Sequence, residues 1–129
     1  MIDYYIEYTE DLAEYIQSGA QLHNFTIFSE PSTGIGGRLD LMEVNVAGPD
    51  RFGREVTYRV RIQGPKDNWK EIMQYVGKVD NLLTDCASKD NELLIKYRLT
   101  LGAWSLTEEE PNLIFENSLI ARMVRLEVN

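Results

Sequence analysis

The chain has 129 residues, 43% of them hydrophobic and 26% charged, and its 21 acidic residues outnumber 13 basic ones to give a formal net charge of −8. This length predicts a single domain over 1–129 whose core is large enough to be stable without disulfides or metal ions. The excess of acidic residues argues against a surface that binds nucleic acid. No apolar run reaches the ~18 residues needed to span a bilayer. The acidic N-terminus lacks the pattern of a signal peptide, and there is a single cysteine, so we expect a cytosolic protein.

The first twenty residues predict an amphipathic helix over roughly 3–17, with Gly19 placed to end it in a left-handed turn. The segment holds more tyrosines than one core stripe needs: Tyr4, Tyr5, Tyr8 and Tyr15. Two interpretations stay open, because a tyrosine either leans over a core edge with its hydroxyl in water or contacts a partner protein. Tyr4 and Tyr8 are the candidates for a protein contact.

Two strands and a loop are predicted next. Strands over 25–28 and 39–46 flank a segment, 29–38, whose Pro, Ser and Gly content is typical of a loop. The apolar side of the second strand changes between Leu41 and Met42, which indicates a β-bulge. The segment 47–54 is long for a hairpin turn, so we expect an arm that projects from the sheet.

The stretch 55–85 is the centre of the predicted fold. Apolar residues alternate with polar ones over 55–63, which predicts a strand with one buried and one wet face. After Gly64-Pro65, an apolar stripe predicts a helix over 68–85, with Asn68 and Glu71 as a capping box. The predicted core residues are Tyr58, Val60, Ile62, Trp69, Ile72, Val76, Leu83, Tyr97 and Leu99.

The last third predicts a long strand over 92–104, an acidic loop over 105–112 and a closing strand over 119–128. Leu113 to Phe115 could form a short strand or a loop patch. The inward side of the closing strand is predicted to hold Ile120, Val124, Leu126 and Val128, with Arg122 at a sheet edge or beside an acidic partner. The whole pattern predicts an α+β fold: a mostly antiparallel five-stranded sheet with two helices packed on one face.

Candidate chemistry is sparse. His23 is the only histidine and Cys86 the only cysteine, so zinc sites built from those ligands cannot form. The glycine-rich stretch 33–38 precedes a strand, whereas a dinucleotide loop precedes a helix. Glu108, Glu109 and Glu110 could hold a hard cation, but their spacing is not that of a calcium loop, and a solvated loop is the favoured interpretation. We therefore predict no catalytic, cofactor or metal site and no enzymatic activity.

The order of elements resembles that of tail terminator proteins (minor capsid or tail completion proteins) of long-tailed bacteriophages and prophages. The likeness is sharpest in VTYRVRIQGPKDNWKEIMQYVGKVDNLL, where a strand with arginines passes through a short polar turn into a helix that ends in Leu-Leu. The segments LLIKYRLTLGAW, EEEP and LIARMVRLEVN stand where that family has a long strand, a variable loop near a proline and a closing strand. The GIGG loop and the TEEE insertion have no counterpart in that pattern.

The resemblance implies a structural role in the virion. A ring of roughly six copies would cap the tail tube, contact the tail tube protein and a neck or head-completion protein, and let DNA through as passing cargo. No specific DNA binding and no membrane contact are expected. The candidate contact residues are Tyr4, Tyr8, Arg51, Phe52, Arg54, Glu108, Glu109 and Glu110. The alternatives are another head–tail connector, a small ligand- or peptide-binding domain, and, as a third class, an enzyme that uses carboxylates alone.

Overall fold

The computed structural model describes residues 2–47, 53–84 and 97–123, and these form an α+β fold. The N-terminal half consists of α1 (Ile2–Ala20), β1 (Phe25–Ile27), β2 (Gly36–Ala47) and β3 (Gly53–Pro65). A 3₁₀ turn (Lys66–Asn68) leads into α2 (Trp69–Thr84), followed by β4 (Tyr97–Leu101), β5 (Ser105–Glu109) and β6 (Asn112–Met123). The 3₁₀ turn includes Asn68, so α2 begins at Trp69, one residue after the start of the predicted range 68–85.

The described strands form one mixed, mostly antiparallel sheet. Its order is β1-β2-β3-β6-β4, and β5 also pairs with β6. Only β1 and β2 are parallel. β4 pairs with residues 119–123 of β6 and β5 with residues 112–116, so the two short strands follow one another along the same edge. The sheet has six strands in five positions, where five strands were predicted.

The core lies between the helices and one face of the sheet, which we call the core face. Val56, Tyr58, Val60 and Ile62 of β3 are fully buried on this face. Both helices contribute buried apolar side chains to the same cluster, among them Leu12 and Ile16 of α1 and Ile72, Val76, Val79 and Leu83 of α2. The alternation in β3 and the stripe in α2 thus predicted this part of the core correctly, because each follows the period of its element.

Two aromatic residues are placed differently from the prediction. Trp69 is 51% exposed although it was expected in the core, because it stands at the first position of α2, before the helix lies fully over the sheet. Tyr8 was a candidate contact residue and is only 5% exposed. Its ring lies 6.3 Å from that of Tyr58, whose hydroxyl is 2.8 Å from the Thr9 hydroxyl. Leu99 packs against the core, and the side chain of Tyr97 lies outside the described residues.

The β2–β3 hairpin includes the predicted bulge and extends past the last β3–β6 pair that the structure describes. The register shifts between Leu41 and Glu43, with Met42 as the extra residue. The strands pair up to Ala47 and Gly53, two positions past the last β3–β6 pair at Glu55. The tip of the predicted arm, 48–52, lies outside the described residues. β2 begins at Gly36, earlier than predicted. The Phe25 ring packs against Gly37, where a Cβ would lie 2.5 Å from the ring and force it to move.

The C-terminal strands differ most from the prediction. The predicted acidic loop forms β5, and β6 begins at Asn112, seven residues before the predicted strand. The inward side of β6 is also corrected: Leu119 and Ala121 are buried on the core face, whereas Ile120 pairs with Thr57 on the other face. Arg122 shares that other face and binds Glu55 at 2.9 Å, which confirms the acidic partner. Residues 124–129 lie outside the described part.

None of the helices that the structure describes is long and apolar enough to cross a membrane.

Candidate interaction surface

The sheet face away from the helices, which we call the open face, gathers charged side chains from three adjacent strands. Residues directly opposite each other on neighbouring strands point to the same side. Arg38 and Asp40 of β2 lie opposite Arg61 and Arg59 of β3, and Arg61 lies opposite Glu116 of β6. The strand register therefore places these five side chains together, and Glu30 reaches them from the loop that joins β1 to β2.

Six residues on this face form a closed ring of ion pairs. Glu30 binds Arg38 at 2.8 Å, Arg38 binds Asp40 at 2.8 Å, and Asp40 binds Arg59 at 2.8 Å. The ring closes through longer pairs, from Arg59 to Glu116 at 3.6 Å, from Glu116 to Arg61 at 3.5 Å, and from Arg61 back to Glu30 at 3.5 Å. Three arginines and three carboxylates balance, so the ion-pair ring as a whole is neutral.

Asp40 anchors the ring. It is only 3% exposed, and it accepts hydrogen bonds from Arg38 Nε and from Arg59 Nε and Nη2. Burial by itself would raise the pKa of this carboxyl group, but the hydrogen bonds from Arg59 and Arg38 outweigh burial and lower the pKa below its ordinary value. In turn, the hydrogen bond to Asp40 raises the pKa of Arg38. Asp40 is therefore an ionised, buried carboxylate.

Arg61 is held less well than the other two arginines. Its side chain is 16% exposed, yet both of its ion pairs are 3.5 Å long, beyond the 2.7–2.9 Å typical of charge-assisted hydrogen bonds. Its Nε–H is buried with no hydrogen-bond partner among the described residues, and the same is true of Gln63 Oε1 nearby on β3. The Gln63 amide nitrogen donates to Glu30 at 3.3 Å. An arginine with five donors is thus left with unused hydrogen-bonding capacity on this face.

A second charged cluster lies at the turn between β5 and β6. The ammonium group of Lys66 binds the carboxylates of Glu108 and Glu110, the second at 3.2 Å. The hydrogen bond from Lys66 lowers the pKa of Glu108, and the bond to Glu108 raises the pKa of Lys66. Glu109 takes part in neither pair. It lies opposite Asn112, on the open-face side of the sheet.

Exposed large apolar side chains lie on α2, on β5 and directly after β1. Trp69 and Met73 stand one turn apart on α2, and Leu106 of β5 lies on the core face opposite Phe115. The side of α2 that holds Trp69 and Met73 continues to Asp80, which accepts a hydrogen bond from Trp104 at 2.9 Å and so lies over the β4–β5 edge. Phe28, after β1, is 54% exposed with φ +61°, a left-handed conformation that is strained for an aromatic residue.

The contact residues predicted from the sequence do not form one site among the described residues. Glu108, Glu109 and Glu110 lie together at the β5–β6 turn, and Tyr8 lies in the core. The side chains of Tyr4, Arg51, Phe52 and Arg54 lie outside the described residues. The ion-pair ring was missed, although Arg59 and Arg61 were expected on the wet face. The signal that could have found it is Arg38-Leu39-Asp40, a charged pair at strand spacing on the neighbouring strand.

The part of the chain that the structure describes contains no group of three or more His, Cys, Asp or Glu residues arranged to hold a metal ion.

Comparisons with known proteins show a similarity of fold and nothing more. No protein-family model and no curated protein matches the chain. A solved structure matches 91% of this chain and 90% of its own, with a TM-score of 0.60 and 15% sequence identity. Two structures from Akkermansia muciniphila, one determined without its transmembrane region, match 74% of this chain at 13% identity, with TM-scores of 0.42 and 0.38. The matches span only 44% and 49% of those two chains, and at these scores they carry no argument about this protein.

Proposed function

We propose that this protein is a structural component of a bacteriophage or prophage virion, a tail terminator that caps the tail tube. The observation that carries the proposal is the order of its elements: α1, two strands, the β3–α2 unit, and then strands separated by a turn that contains Pro111. The resemblance to tail terminators implies a similar order, except that β5 stands where that family has a variable loop. In this role the protein is a building block of the virion tail or neck and has no catalytic task.

The proposed assembly is a ring of roughly six copies, held by a contact between two different patches of neighbouring subunits. Exposed apolar side chains at both sheet edges support such a contact: Trp69, Met73 and Leu106 lie at the β5 edge, and Phe28 follows β1 at the opposite edge. Tryptophan, phenylalanine and methionine are enriched in protein interfaces. The extended β2–β3 hairpin supplies an arm of the kind that could reach a neighbour or the tube.

The acidic composition suits the passage of DNA. With a net charge of −8, a ring of such subunits repels phosphates and lets DNA move through its lumen without adhering. The arginines of the open face do not alter this balance, because each is paired with a carboxylate. The partners in this proposal are further copies of the chain, the tail tube protein and a neck or head-completion protein.

Electron microscopy of purified protein mixed with tail tubes tests the proposal. Wild-type protein is expected to bind tube ends as a ring with the symmetry of the tube. A Phe52→Ala, Arg54→Ala double variant in the hairpin should bind ends less well, and a Gln74→Ala, Lys78→Ala double variant on the exposed side of α2 serves as the matched control. Wild-type protein that ignores tube ends, or coats tube walls at random, would show that the protein is not a tail terminator.

A further inference from the structure

We infer that the open face binds a carboxylate of a second copy of this chain, with Arg61 as the receiving residue, Glu30 as a displaceable internal carboxylate and Glu109 of the neighbouring copy as the incoming group. This inference rests on the proposed ring, because it names the two unlike patches that meet between neighbouring subunits.

The first step is the incomplete bonding of Arg61. Arg38 and Arg59 each make a hydrogen bond of 2.8 Å to Asp40, whereas Arg61 has only two ion pairs of 3.5 Å. Its Nε–H is buried and out of reach of an incoming group, so the two Nη groups, which make these long ion pairs, are the donors left for a partner. A guanidinium group binds a carboxylate best through two parallel N–H···O bonds. Neither Glu30 nor Glu116 satisfies Arg61 in that way, so it can accept a better placed carboxylate.

The second step is the position of Glu30 over this arginine. Glu30 is 63% exposed at its side chain and belongs to the loop between β1 and β2. It spreads its carboxylate over Arg38, Arg61 and Gln63, with only the Arg38 contact short. Exposed ion pairs of this kind contribute little to stability, so an incoming carboxylate displaces Glu30 at small cost. Glu30 therefore competes with a partner for the same site.

The third step is the choice of the incoming group. At the β5–β6 turn, Glu108 and Glu110 are held by Lys66 of their own chain, whereas Glu109 belongs to neither ion pair. Glu109 is exposed and lies on the open-face side, at the edge of the sheet and far along it from β2. A turn at one edge can reach the open face of the next copy in a contact between unlike patches, which is the kind that closes rings. Once Glu30 is displaced, three arginines face only Asp40 and Glu116, and this opposite charge at the contact allows two acidic proteins to associate.

Charge exchange tests the inference on tube ends and in solution. We expect Glu109→Arg to raise the protein concentration needed for ring formation roughly tenfold or more, since an attractive pair becomes repulsive. Arg61→Glu should have the same effect, and the chain with both substitutions should form rings again. Glu30→Gln should lower the protein concentration needed for ring formation, because it removes the internal competitor. If Glu30 had only a structural role, this substitution would not lower that concentration. Lys78→Glu on α2 is the control for a change of charge alone.

The two proposals fail in different ways. If wild-type protein caps tube ends and Glu109→Arg caps them equally well, the carboxylate contact is wrong while the terminator function stands. If wild-type protein never caps tube ends, self-association at low salt, measured by sedimentation, still tests the pair through the same variants. Arg61→Glu is checked for folding by its thermal melt. Glu109 is the exposed last residue of the edge strand β5, so the result for Glu109→Arg is decisive without that check. Failure of the doubly substituted chain to regain association would also overturn the pairing.

Discussion

Asp40 shows how this sheet tolerates a charge beneath its surface. A carboxylate that is 3% exposed would be costly if it stood alone, because burial removes the water that solvates it. Arg38, two residues away on the same strand, and Arg59, directly opposite on β3, replace that water with three hydrogen bonds of 2.8 to 3.3 Å. The arginines are partly exposed and keep some hydration, so the carboxylate is desolvated more than its partners.

Replacing this carboxylate should therefore destabilise the fold. We expect Asp40→Asn to lower the free energy of unfolding by about 1–3 kcal/mol, less than the cost of breaking a fully buried pair because Arg38 and Arg59 can regain water. Urea unfolding at pH 7 measures the change. Glu116→Gln is the matched control, with a smaller expected effect because its ion pairs are 3.5 to 3.6 Å long. Equal losses for the two variants would contradict the role of Asp40 as the anchor.

The same variant has a defined pH dependence. The pKa of Asp40 is lower in the folded protein than in the unfolded chain, where an aspartate has a pKa of about 3.9. Its stabilisation is therefore fully present above that unfolded pKa and is lost as the pH falls through the folded pKa. The difference in unfolding free energy between wild type and Asp40→Asn should stay constant from neutral pH to about pH 5 and shrink below about pH 4. A difference that grows on acidification would be incompatible with a lowered pKa.

At the scale of single elements, adjacent residues of α2 differ sharply in burial. Ile72 is fully buried against the sheet, whereas its neighbour Met73 is 47% exposed. We expect Ile72→Ala to cost about 2–4 kcal/mol of unfolding free energy, from lost transfer energy and the cavity left behind. Met73→Ala should change it by less than about 0.5 kcal/mol, as surface substitutions usually do. Chemical denaturation of both variants checks the pair, and a similar loss at both positions would mean that α2 is rotated from its described orientation.

The elements that could be predicted from the sequence are those whose pattern keeps one period. β3 alternates at every position and α2 repeats its stripe for four turns, so their buried faces followed directly. β6 could not be predicted in this way, because Ile114 is buried on the open face while Leu113 and Phe115 are buried on the core face. Three adjacent apolar residues then look like a loop patch, and small Ala121 does not mark the inward side.

The candidate surface was harder to predict than the fold, because it depends on strand order. Arg59 and Arg61 could be placed on a wet face from β3 alone. Their partners Asp40, Glu116 and Glu30 come from β2, β6 and a loop, and only the register of the sheet brings them together. β5 was hidden for a related reason: its five residues are all exposed at a sheet edge, and such a strand lacks the apolar alternation that reveals a strand in a sequence.

At the scale of the whole molecule, net charge and ion pairing decide whether the protein can bind DNA. Phosphate binding requires lysines or arginines that are free to replace counterions. Arg38, Arg59 and Arg61 are bound to carboxylates, Arg122 is bound to Glu55, and Lys66 is bound to Glu108 and Glu110. These cations therefore add little attraction for phosphate to a chain whose net charge is −8.

Purified protein should therefore not bind duplex DNA at physiological salt. Fluorescence anisotropy of a labelled duplex, titrated with protein at about 150 mM salt, should show no saturable binding in the micromolar range. Long-range repulsion opposes approach, and residues 2–47, 53–84 and 97–123 show no basic patch that compensates for it. Lowering the salt concentration should not produce binding either, because weaker screening strengthens the repulsion between the acidic protein and DNA. An Asp40→Asn, Glu116→Gln double variant, which leaves the open face with three arginines and Glu30, is the comparison that could gain weak, salt-sensitive binding. Micromolar or tighter binding by the wild-type protein would overturn this account of its charge and, with it, the expectation that DNA slides through the ring.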